Sequence, residues 1–138
     1  MNKNTQFLVV DDFQMMRNIV KKMLLEQGFK NITMALDGID AKNKITEAEA
    51  AGNPIHFVVS GWNMPNMSGL ELLKYVRSTE KYADIPFIMV TAESEQKQII
   101  EAIKSKVSEY IVKPFNDISF KQKLENVSNR LAAKQKAA

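Results

Sequence analysis

Five short apolar runs alternate with five helix-like segments along the chain, and this alternation constrains the fold more than any other feature of the sequence. The runs are "QFLVV" (Gln6 to Val10), "NITMAL" (from Asn31), "HFVV" (ending at Val59), "FIMV" (Phe87 to Val90) and "EYIV" (Glu109 to Val112). Near-continuous apolar runs of this length read as strands buried on both faces. Between them lie helical stripes. Met16, Ile19, Val20, Met23, Leu24 and Gln27 form the first, with Gly28 in the stop position. "IDAKNKITEAEA" is a weaker second helix, followed by a loop through Gly52-Asn53-Pro54. The third runs from about Ser68 to Ser78 with Leu70, Leu73 and Val76 inward, and the fourth carries Ile99, Ile100 and Ile103. Phe120, Leu124, Val127 and Leu131 make the i, i+4, i+7, i+11 stripe of the last. Strict alternation predicts an α/β fold, a parallel sheet covered by helices on both faces. Right-handed crossovers then bring every strand's carboxyl end to one edge. No Pro or Gly cluster marks a linker, so one domain is expected over 1–138, with its core at about 6–131 and a frayed tail at 132–138.

Bulk properties exclude several functions. The net charge of +3, from 19 basic and 16 acidic residues, is too mild and dispersed to argue for nucleic acid. Cysteine is absent, which removes disulfides, thiol nucleophiles and thiolate metal sites. "MNKNTQ" runs straight into the first strand and leaves no room for a signal peptide. No apolar run approaches the ~20 residues that cross a bilayer. A soluble, cytoplasmic chain without nucleic-acid or membrane partners is expected.

The shared edge collects Asp11 and Asp12 after the first strand, Gly61 after the third, Thr91 after the fourth and Lys113 after the fifth. Ligands of parallel α/β sheets bind at that edge. Two adjacent carboxylates there are costly unless paired or holding a cation, and hard oxygen ligands suit Mg2+. A hydroxyl and an ammonium from neighbouring strands would complete a phosphoryl site. Taken singly, each has a plainer reading: an acidic pair is often a helix cap or solvated loop, and Lys113-Pro114 can be a mere turn. The order acid-acid, gap, Thr, Lys-Pro makes the signal specific.

Beyond these residues, "FLVVDDF", "WNMPNM", "GLELL", "MVTAE" and "VKPF" recur in register from about residue 6 to 131. With them the sequence resembles the receiver domain of two-component response regulators, and within that family the chemotaxis regulators. The resemblance implies a doubly wound, flavodoxin-like sheet of order 2-1-3-4-5, an order known for the family. It implies Mg2+ held by Asp11 and Asp12, with Asp12 the direct ligand and Asn63 lending a backbone carbonyl. Thr91 matches the switch hydroxyl, Lys113 the lysine that contacts the phosphoryl group, and Tyr110 the aromatic whose rotamer reports activation. A stand-alone domain acts by protein contact and not as an enzyme. Its expected face is the fourth helix, fifth strand and fifth helix, with Ile99, Tyr110 and Lys123 as contacts. Taken alone, Ile99 could equally be core and Lys123 a solvated charge. The family's partners are a histidine kinase and, for chemotaxis members, the flagellar motor switch; a monomer is expected.

One departure is central. The family's third strand ends in the aspartate that accepts the phosphoryl group, whereas this chain reads "SGW", with Gly61 in that place. Glycine supplies neither an attacking oxygen nor a third metal-ligating carboxylate. Ser60 should point to the opposite side of the strand and has no evident base. Ser68 replaces the acidic residue common before the glycine of the third loop, and Lys106-Val107-Ser108-Glu109 stands where small residues are usual. Two accounts of Gly61 stay open, natural loss of phosphorylation or an introduced change in a competent regulator. With one carboxylate fewer, Mg2+ should bind more weakly, and space beside Lys113 and Thr91 should admit a small free anion next to Trp62. Three functions remain at this point: a phosphorylation-switched module, a phosphorylation-independent pseudo-receiver, and a phosphatase of the haloacid-dehalogenase type. The last normally separates its aspartates by one residue and carries a cap domain, neither of which is seen here. His56 reads as structural, and no Gly-rich phosphate loop or zinc spacing is present.

Overall fold

A computed structural model describes residues 1–92 and 96–137. The elements run β1 (Gln6–Val10), α1 (Gln14–Glu26), β2 (Asn31–Ala35), α2 (Gly38–Ala50), β3 (Phe57–Gly61), α3 (Gly69–Ser78), β4 (Phe87–Thr91), α4 (Gln96–Lys104), β5 (Glu109–Val112) and α5 (Asp117–Ala137). A short 3-10 turn, Glu80–Tyr82, follows α3. All strands are parallel, in the order β2-β1-β3-β4-β5. The fold class and strand order expected from the sequence are therefore the observed ones.

Strand alternation divides the core into two layers. Phe7, Val9, Phe57, Val59, Ile88, Val90 and Ile111 face α1 and α5, meeting Val20, Leu24, Phe120, Leu124 and Val127. Leu8, Val10, Val58, Phe87 and Met89 face the other way and pack on Ala41, Ile45, Leu72, Leu73, Val76 and Ala102 of α2, α3 and α4. With both faces covered, the strands have no need of polar positions, which is why they read as unbroken apolar runs.

Local chemistry ends the helices where the sequence says. Gly28 adopts a left-handed φ of 95°, and Gly28 N–H and Phe29 N–H donate to Leu25 and Leu24 carbonyls at 3.0 and 3.2 Å. That is the glycine-terminated Schellman arrangement. Asp37 caps α2 by accepting Asp40 N–H at 2.8 Å, and it also accepts Asn66 Nδ2–H at 2.8 Å, tying two loops of the site edge together. These hydrogen bonds, the Asp40 N–H first, hold the Asp37 carboxyl below its ordinary range. The depressed value means that Asp37 stabilises the fold above the ordinary carboxylate range and loses that contribution as pH falls through its folded value. Asp37→Ala is expected to lower stability by about 1 kcal/mol at neutral pH. Denaturant titrations at several pH values should show the gap between variant and parent closing in acid; a gap that persists would assign it to packing instead.

At the carboxyl end α5 continues to Ala137. Its Ala-, Lys- and Gln-rich composition is strongly helix-forming, and Lys134 Nζ lies 3.8 Å from Asp84 Oδ1. Some stripe residues are exposed rather than buried. Ile19, Ile100 and Ile103 face solvent, and in α4 it is the small Ala102 that is buried. Among the described residues no helix is long and apolar enough to cross a membrane.

Candidate functional site

The register of the sheet assembles the edge. Val10 pairs with Ser60, Gly61 with Val90 and Thr91 with Val112. Asp11, Gly61, Thr91 and Lys113 thus emerge side by side on four neighbouring strands. Asp11 is buried, Asp12 and Asn63 are exposed, and Thr91 is buried with its carbonyl accepting Lys113 N–H at 2.7 Å. Glu93, the last residue of "MVTAE", lies outside the described residues.

Lys113 Nζ stands 3.9 Å from Asp11 Oδ2. Asp11 Oδ1 accepts Phe13 N–H at 2.9 Å, and the Asp11 carbonyl accepts from the Arg17 guanidinium at 2.7 Å. Burial pushes the Asp11 carboxyl above its ordinary range, with the charge of neighbouring Asp12 adding to the rise; the Phe13 N–H and Lys113 pull the other way. The two members of the acid pair differ in exposure, Asp11 buried and Asp12 exposed, but their carboxylates stand close enough to interact.

At Gly61 a Cβ would meet Asp11 Oδ2 at 2.8 Å and Asp11 Cγ at 3.4 Å, so the Asp11 carboxylate lies beside the bare strand end. Ser60 is fully buried and donates its hydroxyl to the Gly61 carbonyl at 2.9 Å. It sits on the α2–α4 side of the sheet, opposite to Gly61, as alternation requires. Among the described residues no group of three or more acidic or His side chains could hold a metal. Asp11 and Asp12, with carboxylates close enough to interact, are a hard-oxygen donor pair of the kind Mg2+ takes, one or two carboxylates with its other positions filled by water and carbonyls.

The supporting loops rest on signals only partly visible in the sequence. Trp62 is buried in the α2–α4 layer, and its carbonyl accepts Gly69 N–H at 2.8 Å. Ser68 and Glu71 form a reciprocal capping box at the start of α3, so the serine that departs from the family pattern acts as a helix cap. His56 accepts Gln6 N–H on Nδ1 at 2.9 Å, a structural tie between strands.

On the face formed by α4, β5 and α5, Ile99 and Tyr110 are half-buried. Lys123 is not the solvated charge it could have been. Its ammonium lies 5.4 Å above the Tyr110 ring and 3.3 Å from Glu109 Oε1, while Arg130 reaches Glu109 Oε2 at 3.2 Å.

Comparison with known proteins agrees with this geometry. The profile of the response regulator receiver domain matches residues 7–125. The chain is 44% identical over 131 residues to chemotaxis protein CheY-3 of Vibrio cholerae serotype O1, covering 95% of this chain and 97% of the relative. It is 42% identical over 126 residues to chemotaxis protein CheY of Pseudomonas aeruginosa, covering 91% and 98%. Among solved structures, chemotaxis response regulator CheY4 of Vibrio cholerae superposes with a TM-score of 0.79 at 30% identity, over 89% of this chain and 98% of the other.

Proposed function

The chain belongs to the family of response regulator receiver domains, of the CheY-like chemotaxis kind, and from that premise we propose that it signals by protein contact without being phosphorylated at position 61. The observation that carries this reading is the residue itself. The strand end that should offer a nucleophilic carboxylate is Gly61, and the carboxylate nearest to it belongs to Asp11 and faces Lys113. No acyl phosphate can form on a glycine, and the buried Ser60 hydroxyl donates to a carbonyl on the opposite face.

The cofactor follows the same logic. Mg2+ would be held by Asp11, Asp12 and the Asn63 carbonyl, and it would neutralise negative charge at the edge. With two carboxylates in place of three, binding is weaker than in a receiver that has the aspartate. Lys113 and Thr91 would contact an anion there, and Tyr110 would report the state of the site through its rotamer. Ile99, Tyr110 and Lys123 form the contact face, toward a histidine kinase or the flagellar motor switch in the cytoplasm. The phosphatase reading has no supporting observation, since the two aspartates are adjacent where that chemistry separates them by one residue.

The test is incubation with a small-molecule phosphodonor and Mg2+, followed by intact mass. The unaltered chain should gain nothing, and Gly61→Asp should gain one phosphoryl group. Phosphate appearing on the unaltered chain would defeat the reading.

A further inference from the structure

The amino-terminal edge of the sheet, where Pro86 leads into β4 and Ser108 into β5, lies opposite the acid pair. Two cavities of about 410 and 340 Å3 open there, and both are walled in part by Arg77 and Lys106. The larger has the apolar Pro86, Val107, Val127 and Leu131 in its lining, with the exposed Arg130 and Lys134. Its carboxylate, Asp84, already has Lys134 Nζ at 3.8 Å. The smaller is lined, among the described residues, by Lys74, Arg77, Ser78, Lys104, Ser105 and Lys106, a wall of cations and hydroxyls with no carboxylate in it. Cations gather at helix carboxyl ends to complement the dipole, and Arg77 and Lys104 stand in the last turns of α3 and α4. The dipole does not account for the rest. The final carbonyls of α4 are already bound, Ile103 by Lys106 N–H and Ala102 by Val107 N–H, both at 3.0 Å. Lys106 holds a left-handed φ of 66° at the position where helices usually end in glycine. The ammoniums of Lys74, Lys104 and Lys106 have no carboxylate partner among the described residues. A cation kept against a backbone preference, beside others without counter-charge, marks a place that takes an anion.

We propose that this double cavity binds a small molecule that joins a flat or apolar body to a phosphate chain, as a nucleotide does. Both volumes fall within the roughly 300–1,000 Å3 of small-molecule sites, and apolar walls with a few convergent polar groups are what such sites show. The body rests in the larger cavity against Pro86, Val107 and Leu131. The phosphate chain passes the shared wall toward Lys74, Lys104 and Lys106, whose ammoniums are point charges suited to phosphate oxygens. Arg77 is committed to the Lys106, Ala83 and Ile85 carbonyls, so it fixes that wall and adds charge without offering free donors. An acidic peptide would meet the same ammoniums but would leave the apolar cavity unfilled, which is why the small molecule is the favoured occupant. Nothing at position 61 enters into this binding.

Calorimetric titration of the full chain with ATP in the presence of EDTA tests this. Saturable binding at one site is expected, weakened about tenfold in Lys74→Ala and again in Lys106→Gly, the usual worth of a charge-assisted contact. Glycine suits the left-handed backbone at 106, so the urea midpoint of Lys106→Gly should hold or rise while affinity falls, which separates lost binding from lost folding. Lys113→Ala, at the opposite edge, should bind ATP as the unaltered chain does. Inorganic tripolyphosphate, which has the charge without the body, should bind at least tenfold more weakly than ATP, and hexaglutamate should not displace the nucleotide. No saturable binding, equal affinity for ATP and tripolyphosphate, displacement by hexaglutamate, or loss of binding in Lys113→Ala with Lys106→Gly unaffected would each overturn the proposal. The phosphodonor test on Gly61→Asp reads a covalent change at the other edge, so the two can fail separately.

Discussion

Gly69→Ala is expected to destabilise the domain by about 3 kcal/mol or more, the upper range for an overpacked site. A Cβ on residue 69 would lie 2.0 Å from the Gly61 carbonyl oxygen, 3.0 Å from its carbon and 2.8 Å from Met89 Sδ. The sulfur can swing away, but the carbonyl belongs to the backbone of a central strand and cannot. Gly69 N–H is at the same time bound to the Trp62 carbonyl at 2.8 Å, which seats the first turn of α3 on the strand end. Relief of the clash means lifting α3 away, and the buried Leu72, Leu73 and Val76 with it. Urea unfolding followed by Trp62 fluorescence should show a lowered midpoint at an unchanged slope. An unshifted midpoint would mean that α3 does not approach the strand this closely.

Arg77→Leu is the second large effect, expected at about 3 kcal/mol, since it strands several polar groups at once. Arg77 donates Nε–H to the Lys106 carbonyl at 2.9 Å and Nη1–H to the Ala83 and Ile85 carbonyls at 3.1 and 2.6 Å. Nη2–H reaches Ser108 Oγ at 3.3 Å, and that oxygen also accepts Phe87 N–H at 2.9 Å. One guanidinium thus ties the end of α3 to the entries of β4 and β5. Burial pushes it below its ordinary pKa, only partly opposed by Asp84, but Arg remains charged throughout the accessible pH range. Arg77→Lys should recover little, because one ammonium cannot span four acceptors fixed in a fork geometry. Thermal unfolding of the parent and the two variants tests the order; equal melting temperatures for the parent and Arg77→Leu would show that water replaces the guanidinium.

This network also accounts for a departure that the sequence alone left unexplained. Lys106-Val107-Ser108-Glu109 is larger and more polar than expected at the entry to β5. Lys106 takes a left-handed φ of 66° at the end of α4, with Lys106 N–H on Ile103 and Val107 N–H on Ala102 carbonyls, both at 3.0 Å. Val107 then packs into the core, Ser108 joins Arg77 to Phe87, and Glu109 receives Lys123 and Arg130. No periodicity rule marks an arginine at the end of one helix as the partner of a serine 31 residues away.

The order of elements, the parallel sheet, the two-layer core and the set of residues at the carboxyl edge were all legible in the chain. They depend on local chemistry: near-continuous apolar runs, a 3.6-residue stripe, a glycine stop. Which stripe residues are actually covered was less legible, because Ile100 and Ile103 satisfy the helical period while Ala102 is the residue that meets the core. What only tertiary structure decided is how the edge responds to its missing side chain. Asp11, Gly61 and Lys113 come from three strands far apart in sequence, and a carboxylate settles according to the volume and charge those strands bring together. The sequence determined that position 61 has no nucleophile; packing determined that the Asp11 carboxylate lies beside the bare strand end, with the Lys113 ammonium facing it.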